Sequence, residues 1–411
     1  MLGGALNDAA VVRSLGRRGV PVYVVCGGAR DLAPLSRYAR RLRVGDHRPG
    51  EGLVDELIAA ARPSGTRPVL YVTSDAQLRV VSTFRDRLSE AFRFHLSTAD
   101  AIDTVIDKAR FAAFAEEHDL PVPRTRILDR LEDLDAVTEG LRFPVVLKPN
   151  VSGAFPRGAK IVKAADRDSL REACVTLLPT CERLLVQESL ESADTEHFSF
   201  YTYRSPEHGE LAAVGVRKLR VFPIHGGVGV AAELERDPQL AEDGRRALDA
   251  LGYLGAASVC FKTDGVTGRR LIYEINGRLP GGIAACDLAG LDVPYLAYCD
   301  LVGLPAPAPR KRAPENGIWL TFVGDVRAFR QYRRAGELDL RKWLASYLRV
   351  RSCSEFARDD PAAALVFIAR LVARRLQRVL RARRPVSEVP ASSSRAPVES
   401  RPAGRRRGSG L

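Results

Sequence analysis

Long apolar runs, paired cysteines and clustered histidines are all missing from these 411 residues. No stretch approaches the roughly 20 consecutive apolar residues that cross a bilayer. Residues 1–20 carry charges where a secretory signal has a continuous apolar core, so neither a spanning helix nor such a signal is expected. The seven cysteines (26, 174, 181, 260, 286, 299 and 353) are odd in number and form no C-x-x-C pair, which excludes the common zinc and thiol-exchange spacings. Reduced thiols in a cytoplasmic protein are the expectation. The six histidines are too scattered for a metal cluster. Lysine is scarce as well, at eight of 63 basic residues. Arg is therefore the default cation, and a Lys at a motif position, where a compact point charge suits a phosphate oxygen, gains weight. Lys108, Lys148 and Lys218 are the candidates.

A net charge of +13 points first to nucleic acid. Residues 361–411, however, hold twelve Arg and two acidic residues, which is +10 of that total. The remaining 360 residues carry only +3, so no nucleic-acid partner is expected of the folded body.

With 45% hydrophobic residues, 34 Gly and 25 Pro, the chain can bury a large core in two or three units. Helical patterns over 9–18 and 52–62 alternate with apolar strands at 20–25 and 69–73, which predicts a parallel α/β domain over 1–100. The opening Met1-Leu2-Gly3-Gly4-Ala5 lacks a full strand, so the first strand is expected to be clipped. It also lacks the three spaced glycines of a dinucleotide fingerprint. A helix over 108–118 is stopped by Leu120-Pro121-Val122-Pro123. Beyond it come strands at 144–148, 160–163, 184–188, 197–203, 211–219, 229–235, 257–262 and 269–275, with helices at 167–178 and 238–251. This is a mainly antiparallel α+β arrangement. The Pro-rich 304–309 resembles a linker. The expected divisions are 1–100, 101–308, a C-terminal extension over 309–384, and a disordered basic tail over 385–411.

Three segments carry chemistry. In Tyr273-Glu274-Ile275-Asn276-Gly277-Arg278, residues two apart share a strand face, so Glu274 and Asn276 project together while Ile275 faces the core. A carboxylate and an amide oxygen so placed can ligate Mg²⁺, and Arg278 can reach a developing negative charge. Taken alone, an ordinary edge strand explains the same pattern. In Val145-Val146-Leu147-Lys148-Pro149, an apolar strand ends in a cation and then turns into a loop over 150–158 whose amides can face phosphates; a solvated Lys is the plain alternative. In Leu184-Leu185-Val186-Gln187-Glu188-Ser189-Leu190, another apolar strand turns polar, with Glu196 eight residues after Glu188.

Taken in order, these segments resemble the ATP-grasp superfamily over about residues 1–305, in particular its carboxylate-amine ligase and carbamoyl-phosphate-synthase-like members. The resemblance rests on Asp107-Lys108, Leu120-Pro121-Val122-Pro123, Lys148-Pro149, Gln187-Glu188, Lys218 and Glu274-Ile275-Asn276-Gly277-Arg278. It implies an N-terminal α/β domain followed by a two-lobed fold of antiparallel sheets with helices. It also implies ATP and Mg²⁺ (or Mn²⁺) as cofactors, with small-molecule carboxylate and amine substrates. Carried over by position, Lys108 and Lys148 contact phosphates, Gln187, Glu188 and Leu190 frame adenine, and Glu196 binds ribose. Glu274 and Asn276 bind metal, while Arg278 and Lys218 act on the reacting groups.

Two positions depart from the pattern. Cys260 stands where the family commonly has a metal-binding carboxylate, and thiolates are poor Mg²⁺ ligands; either Asp264 substitutes or one metal site is weakened. The phosphate-covering loop offers only Gly153 and Gly158. The activity implied is ligation through an acyl phosphate with two Mg²⁺ ions. Its alternatives are a nucleotide-binding protein without ligase activity and a membrane-peripheral scaffold. The last is motivated by 362–384, where Leu365, Ile368, Val372, Val379 and Leu380 fall near one helical face and Arg370, Arg374, Arg378 and Arg381 recur every three or four residues. That helix is expected either to dock by its apolar stripe or to adsorb to anionic lipid.

Overall fold

The computed structural model describes residues 6–25, 31–45, 48–150, 155, 161–181 and 183–382, with backbone alone for Leu6 and 374–382. The glycines at 3, 4, 153 and 158, Cys26 and the basic tail lie outside the described residues. Contacts divide the chain into Met1–Ile368 and Ala369–Leu411.

In the N-terminal part, β1 (Val22–Val25) and β2 (Ala39–Leu42) pair in parallel, Val22 opposite Ala39. Among the described residues the expected strand at 69–73 contributes an isolated parallel bridge from Val69 to Arg93. The helix Asp75–Thr83 starts where the Ser74 side chain accepts the Gln77 N–H, which meets a donor the helix itself leaves open. Helix Lys108–Glu117 is capped in the same manner by Asp107.

A four-stranded antiparallel sheet follows, from β3 (Thr125–Leu128), β4 (Val145–Pro149), β5 (Val162–Ala164) and β6 (Leu184–Glu188) in the order β3-β6-β4-β5. Its apolar face, with Leu128, Val145, Leu147 and Val186, packs on Leu170, Cys174 and Leu177 of the helix Arg167–Leu177.

The larger sheet has seven strands among the described residues: β7 (His197–Ser205), β8 (Gly209–Phe222), β9 (Val228–Glu235), β10 (Gly255–Thr263), β11 (Arg270–Asn276), β12 (Ile318–Leu320) and β13 (Val350–Cys353). Their order is β11-β10-β7-β8-β9-β12-β13. Alternation splits its side chains between two cores. Phe200, Val259 and Ile272 meet Leu240, Ala247 and Leu248 of the helix Pro238–Ala250. On the other face Tyr201, Tyr203, Val214 and Val216 meet Val11, Val12 and Leu296. The exposed edge of β11 is partly covered by the Pro-rich connection, since Ile272 donates its N–H to the Pro121 carbonyl at 2.6 Å.

Four strands were not among those expected: β2, β3 and, in this sheet, β12 and β13. The last two add to the sheet beside β9, with Ile318 opposite Glu233 and β13 parallel to β12. Runs of three or four residues are too short to display a period, which is why the sequence is silent on them. This segment is fixed by Asp325, fully buried, which accepts from Arg220 Nε on β8 at 2.5 Å, Trp343 Nε1 at 2.8 Å and Tyr347 Oη at 2.9 Å. Removing the carboxylate strands a buried guanidinium. Asp325→Ala should therefore lower unfolding free energy by about 3–5 kcal/mol in urea titration; a loss below about 1 kcal/mol would show that this anchor matters little.

Candidate functional site

The site begins with a register shift. On β10 and β11 Cys260 pairs with Glu274, but its neighbour Phe261 pairs with Ile272, leaving Tyr273 as an extra residue on β11. This bulge breaks the two-residue alternation. Ile272 and Ile275, three apart, both enter the core at 0% and 3% exposure, while Tyr273, Glu274 and Asn276 all line one cleft.

Lys108, Lys148 and Gln187 line the same cleft, together with Asp75, Thr125 and Phe111. Each is held locally. Lys148 Nζ donates to Gln187 Oε1 at 2.7 Å, and Gln187 Nε2 donates to Thr125 Oγ1 at 2.8 Å. Asn150, just past Pro149, accepts the Lys108 N–H at its carbonyl (3.1 Å) and the Ala109 N–H at its side-chain oxygen (2.9 Å). It returns a bond to Asp107 at 2.9 Å. The turn after β4 and the start of helix Lys108–Glu117 are thereby locked together, which sets Lys108 beside Lys148.

Lys218, on β8, donates to the Tyr273 hydroxyl at 2.9 Å. Its ammonium lies 5.7 Å from the centre of the Tyr273 ring, and that of Lys148 lies 5.8 Å from it. Lys148 is attracted by the ring through its quadrupole and Lys218 is bound by the hydroxyl, so one side chain contacts two lysines from two sheets. His197 meets the same ring edge-on at 6.0 Å. Burial, then the charges of Lys218 and Lys262, pushes this histidine down to about 3, leaving it neutral. Burial, opposed by Glu274 and reinforced by Lys108, pulls Lys148 down to about 8. Burial also raises the Tyr273 phenol, helped by Cys260 and Glu274. These shifts describe a dehydrated, cation-rich cleft suited to a polyanion.

Arg278 spans to the N-terminal part. Its Nε donates to Asp75 Oδ1 at 2.8 Å and its Nη2 to Asn276 Oδ1 at 2.9 Å. Gly277 is required between them, because a Cβ there would overlap the Tyr253 hydroxyl, which bonds the Gly277 carbonyl at 2.7 Å. The Asn276 oxygen keeps a second lone pair for another partner.

For Mg²⁺ the donor set fits one ion. Glu274 and Asn276 Oδ1 supply oxygen ligands, and Mg²⁺ commonly takes one or two carboxylates with the rest from water and phosphate. Cys260 Sγ lies 3.7 Å from Asn276 Nδ2 and is a soft donor that suits Mg²⁺ poorly. Asp264 does not replace it. That carboxylate is committed to the β10–β11 loop, accepting from Thr267 at 2.7 Å and Arg142 at 3.0 Å. Among the described residues no group of three or more His, Cys, Asp or Glu could hold a metal.

Five candidates do not line this cleft: Lys218 and Arg278 reach it only through Tyr273 and Asn276, and Glu188, Leu190 and Glu196 are engaged elsewhere. The Glu188 carboxylate accepts the Arg142 N–H at 3.0 Å and lies 3.6 Å from its guanidinium. Leu190 is 8% exposed, and Glu196 accepts from Thr263 at 2.8 Å. Conversely, Tyr273 was overlooked. The one signal for it was the spacing of Ile272 and Ile275, which fits a bulged strand better than a regular one.

No family model matches this chain. Among curated proteins it is similar to the carbamoyl phosphate synthase large chain of Pseudomonas putida, 25% identical over 193 residues, 44% of this chain and 17% of that protein. That of Bifidobacterium adolescentis is 23% identical over 240 residues, 55% of this chain and 21% of that protein. The chain thus spans about a fifth of these relatives' length. Among solved structures it is similar to the ADP complex of an N5-carboxyaminoimidazole ribonucleotide synthetase, with a TM-score of 0.60 at 15% identity over 76% of this chain and 78% of that one. Biotin carboxylase from Campylobacter jejuni gives 0.60 at 16% over 77% and 73%. L-amino acid ligase from Bacillus licheniformis gives 0.56 at 15% over 72% of each chain. The chain thus shares the mixed parallel and antiparallel fold of these structures, in agreement with its resemblance to the ATP-grasp superfamily.

Proposed function

We propose that this chain is an ATP- and Mg²⁺-dependent ligase that joins a carboxylate to an amine through an acyl phosphate. The observation that carries the reading is the meeting of Lys108, Lys148 and Gln187 with Glu274 and Asn276 on one cleft, with Lys218 tied in through Tyr273. The similar structures described as an ADP complex and as an ATP-analogue complex, and the amino acid ligase among them, support it.

A carboxylate is a poor acylating agent because its leaving group would be oxide. In the first step a carboxylate oxygen bonds to the γ-phosphorus and the bond to the ADP oxygen breaks. In the second, the amine attacks the acyl carbon, phosphate departs, and the nitrogen gives up a proton. Phosphoryl transfer asks a protein mainly for position and charge compensation. Lys108 and Lys148 serve the phosphates and Lys218 the γ-phosphate, while residues 188–190 frame adenine through their backbone and Glu196 meets ribose. Glu274 and Asn276 hold the ion, which when bound offsets phosphate charge; Mn²⁺ can stand in for it. Arg278, steadied by Asp75, faces the oxyanion of the second step. Cys260 limits the set to one protein carboxylate, so a single ion replaces the two first expected.

A second reading, a nucleotide-binding protein without ligase activity, is favoured by Cys260 alone. ADP release measured with Mg²⁺ over a panel of amino acids and small carboxylates separates the two. Release that depends on both substrates supports the ligase, and its absence across the panel supports the second reading.

Three outcomes test individual groups. Arg278→Ala should cut turnover by about a hundredfold or more; an unchanged rate removes it from the mechanism. Lys148 is charged below its value of about 8 and loses that charge above it. ATP favours the charged form, so ATP affinity by calorimetry should fall by up to about tenfold per pH unit above that point. The dependence should vanish in Lys148→Met, and a flat wild-type profile from pH 7 to 9 would contradict the assignment. Cys260→Asp should lower the Mg²⁺ concentration giving half-maximal ATP binding by about tenfold; no change would mean that position 260 does not face the ion.

A further inference from the structure

We infer that the C-terminal part of this chain is a surface for an anionic lipid bilayer, on which it adsorbs without crossing. From Ala362 to Ala373 a single residue, Arg370, is charged, so the helix Pro361–Ala382 begins apolar on all sides. A helix of that kind is normally buried all round. Here only one side is. Ala363 and Ala364 are fully buried and Phe367 packs on the core, whereas Leu365 is 65% and Val366 42% exposed. Leu365 and Val372 belong to the stripe that sequence periodicity marked for docking, and both face solvent. Leu365 is therefore turned away from the core on which Ala363 and Phe367 pack.

A second apolar row points the same way. Leu340, Leu344 and Leu348, at four-residue spacing and so on one helical face, are all exposed. Seven of the twelve exposed large hydrophobic side chains among the described residues lie between Leu340 and Val372, so exposed apolar side chains are concentrated in this part of the sequence.

Charge selects the partner. Residues 340–384 hold twelve basic and three acidic residues. All three acids are committed within the fold. Glu355 accepts the N–H groups of Phe322 and Val323, Asp360 pairs with Arg13 at 2.9 Å, and Asp359 pairs with Arg17 at 2.7 Å. The cations Arg341, Lys342, Arg351, Arg358 and Arg370 are exposed. A second copy of the chain would set these cations against their own kind, and a nucleic acid would leave the leucines in water. An anionic bilayer satisfies both sets at once, taking the apolar rows at the headgroup boundary and the cations at its surface. No described helix is long and apolar enough to cross a membrane, which makes the contact interfacial.

The test is co-sedimentation of the full chain with phosphatidylcholine vesicles, with and without about 30% phosphatidylserine. The expected result is binding to the anionic vesicles only, weakened about tenfold or more in Leu365→Glu/Val366→Glu and in Leu344→Glu/Leu348→Glu. These sites are exposed, so the thermal midpoints should stay at the wild-type value, confirming that lost binding is not lost folding. Equal binding to neutral vesicles would overturn the inference. So would wild-type binding by both variants, or a concentration-dependent dimer that the same substitutions abolish.

Discussion

Two ammonium groups held by one tyrosine, one against its ring and one at its hydroxyl, form the contact on which the cleft depends. Lys148 arrives on the small sheet and Lys218 on the large one, and among the described residues they donate to Gln187 and Tyr273 rather than to a carboxylate. Burial, opposed by Glu274 and reinforced by Lys108, lowers the proton affinity of Lys148, because the charged form loses its hydration. The face of Tyr273 offsets part of that loss for Lys148 through its quadrupole, while its hydroxyl accepts from Lys218, and neither cation is neutralised. A polyanion would relieve the rest. The arrangement is therefore poised to favour a phosphate-rich ligand over bulk water, and it joins the two sheets through a single side chain.

That side chain is available only because β11 is bulged. A regular strand would turn Tyr273 away from Glu274 and Asn276, toward the core filled by Ile272 and Ile275. The rest of the large sheet holds the bulge in place. β10 is flanked by β7 and β11, so Cys260 is fixed opposite Ser199 on one side and Glu274 on the other. Just beyond, Asn7 donates to the carbonyls of Thr73 and Leu279, both at 3.1 Å. This bond and the Asp75–Arg278 pair bring the N-terminal part against the end of the motif strand, so a substrate pocket there would be walled by both.

Cys260 changes the balance of the site as much as any charged residue. With sulfur at position 260, the acids lining the cleft are Glu274 and Asp75, and Asp75 is paired with Arg278, so the cleft is more positive than a further acid at 260 would make it. Its dependence on the ligand's own phosphate charge is correspondingly greater. Elsewhere the chain treats acids differently: Asp325, Glu355 and Asp360 are buried and paired, and they pin the C-terminal segment to the sheet. That inward use of acids leaves the surface of the same segment cationic.

The sequence by itself determined the elements and the order of their polar ends. Alternation located the long strands of both sheets within a few residues, because burial on one face imposes a repeat on neighbouring positions, whereas helices such as Val293–Val302 and Phe322–Arg334 went unread. The pairing of Glu274 with Asn276, the inward Ile275, and the lysines worth watching were all legible at that range. Only the tertiary structure decided which of these groups meet. Glu188 turns to Arg142, 46 residues earlier, and Asp264 closes its own loop. Cys260 meets Asn276 through a strand register, Tyr273 gathers two lysines through a bulge, and two strands too short to show a period complete the sheet. Such contacts arise between segments distant along the chain, where no local repeat records them, and they are fixed by packing and register once the sheets have formed.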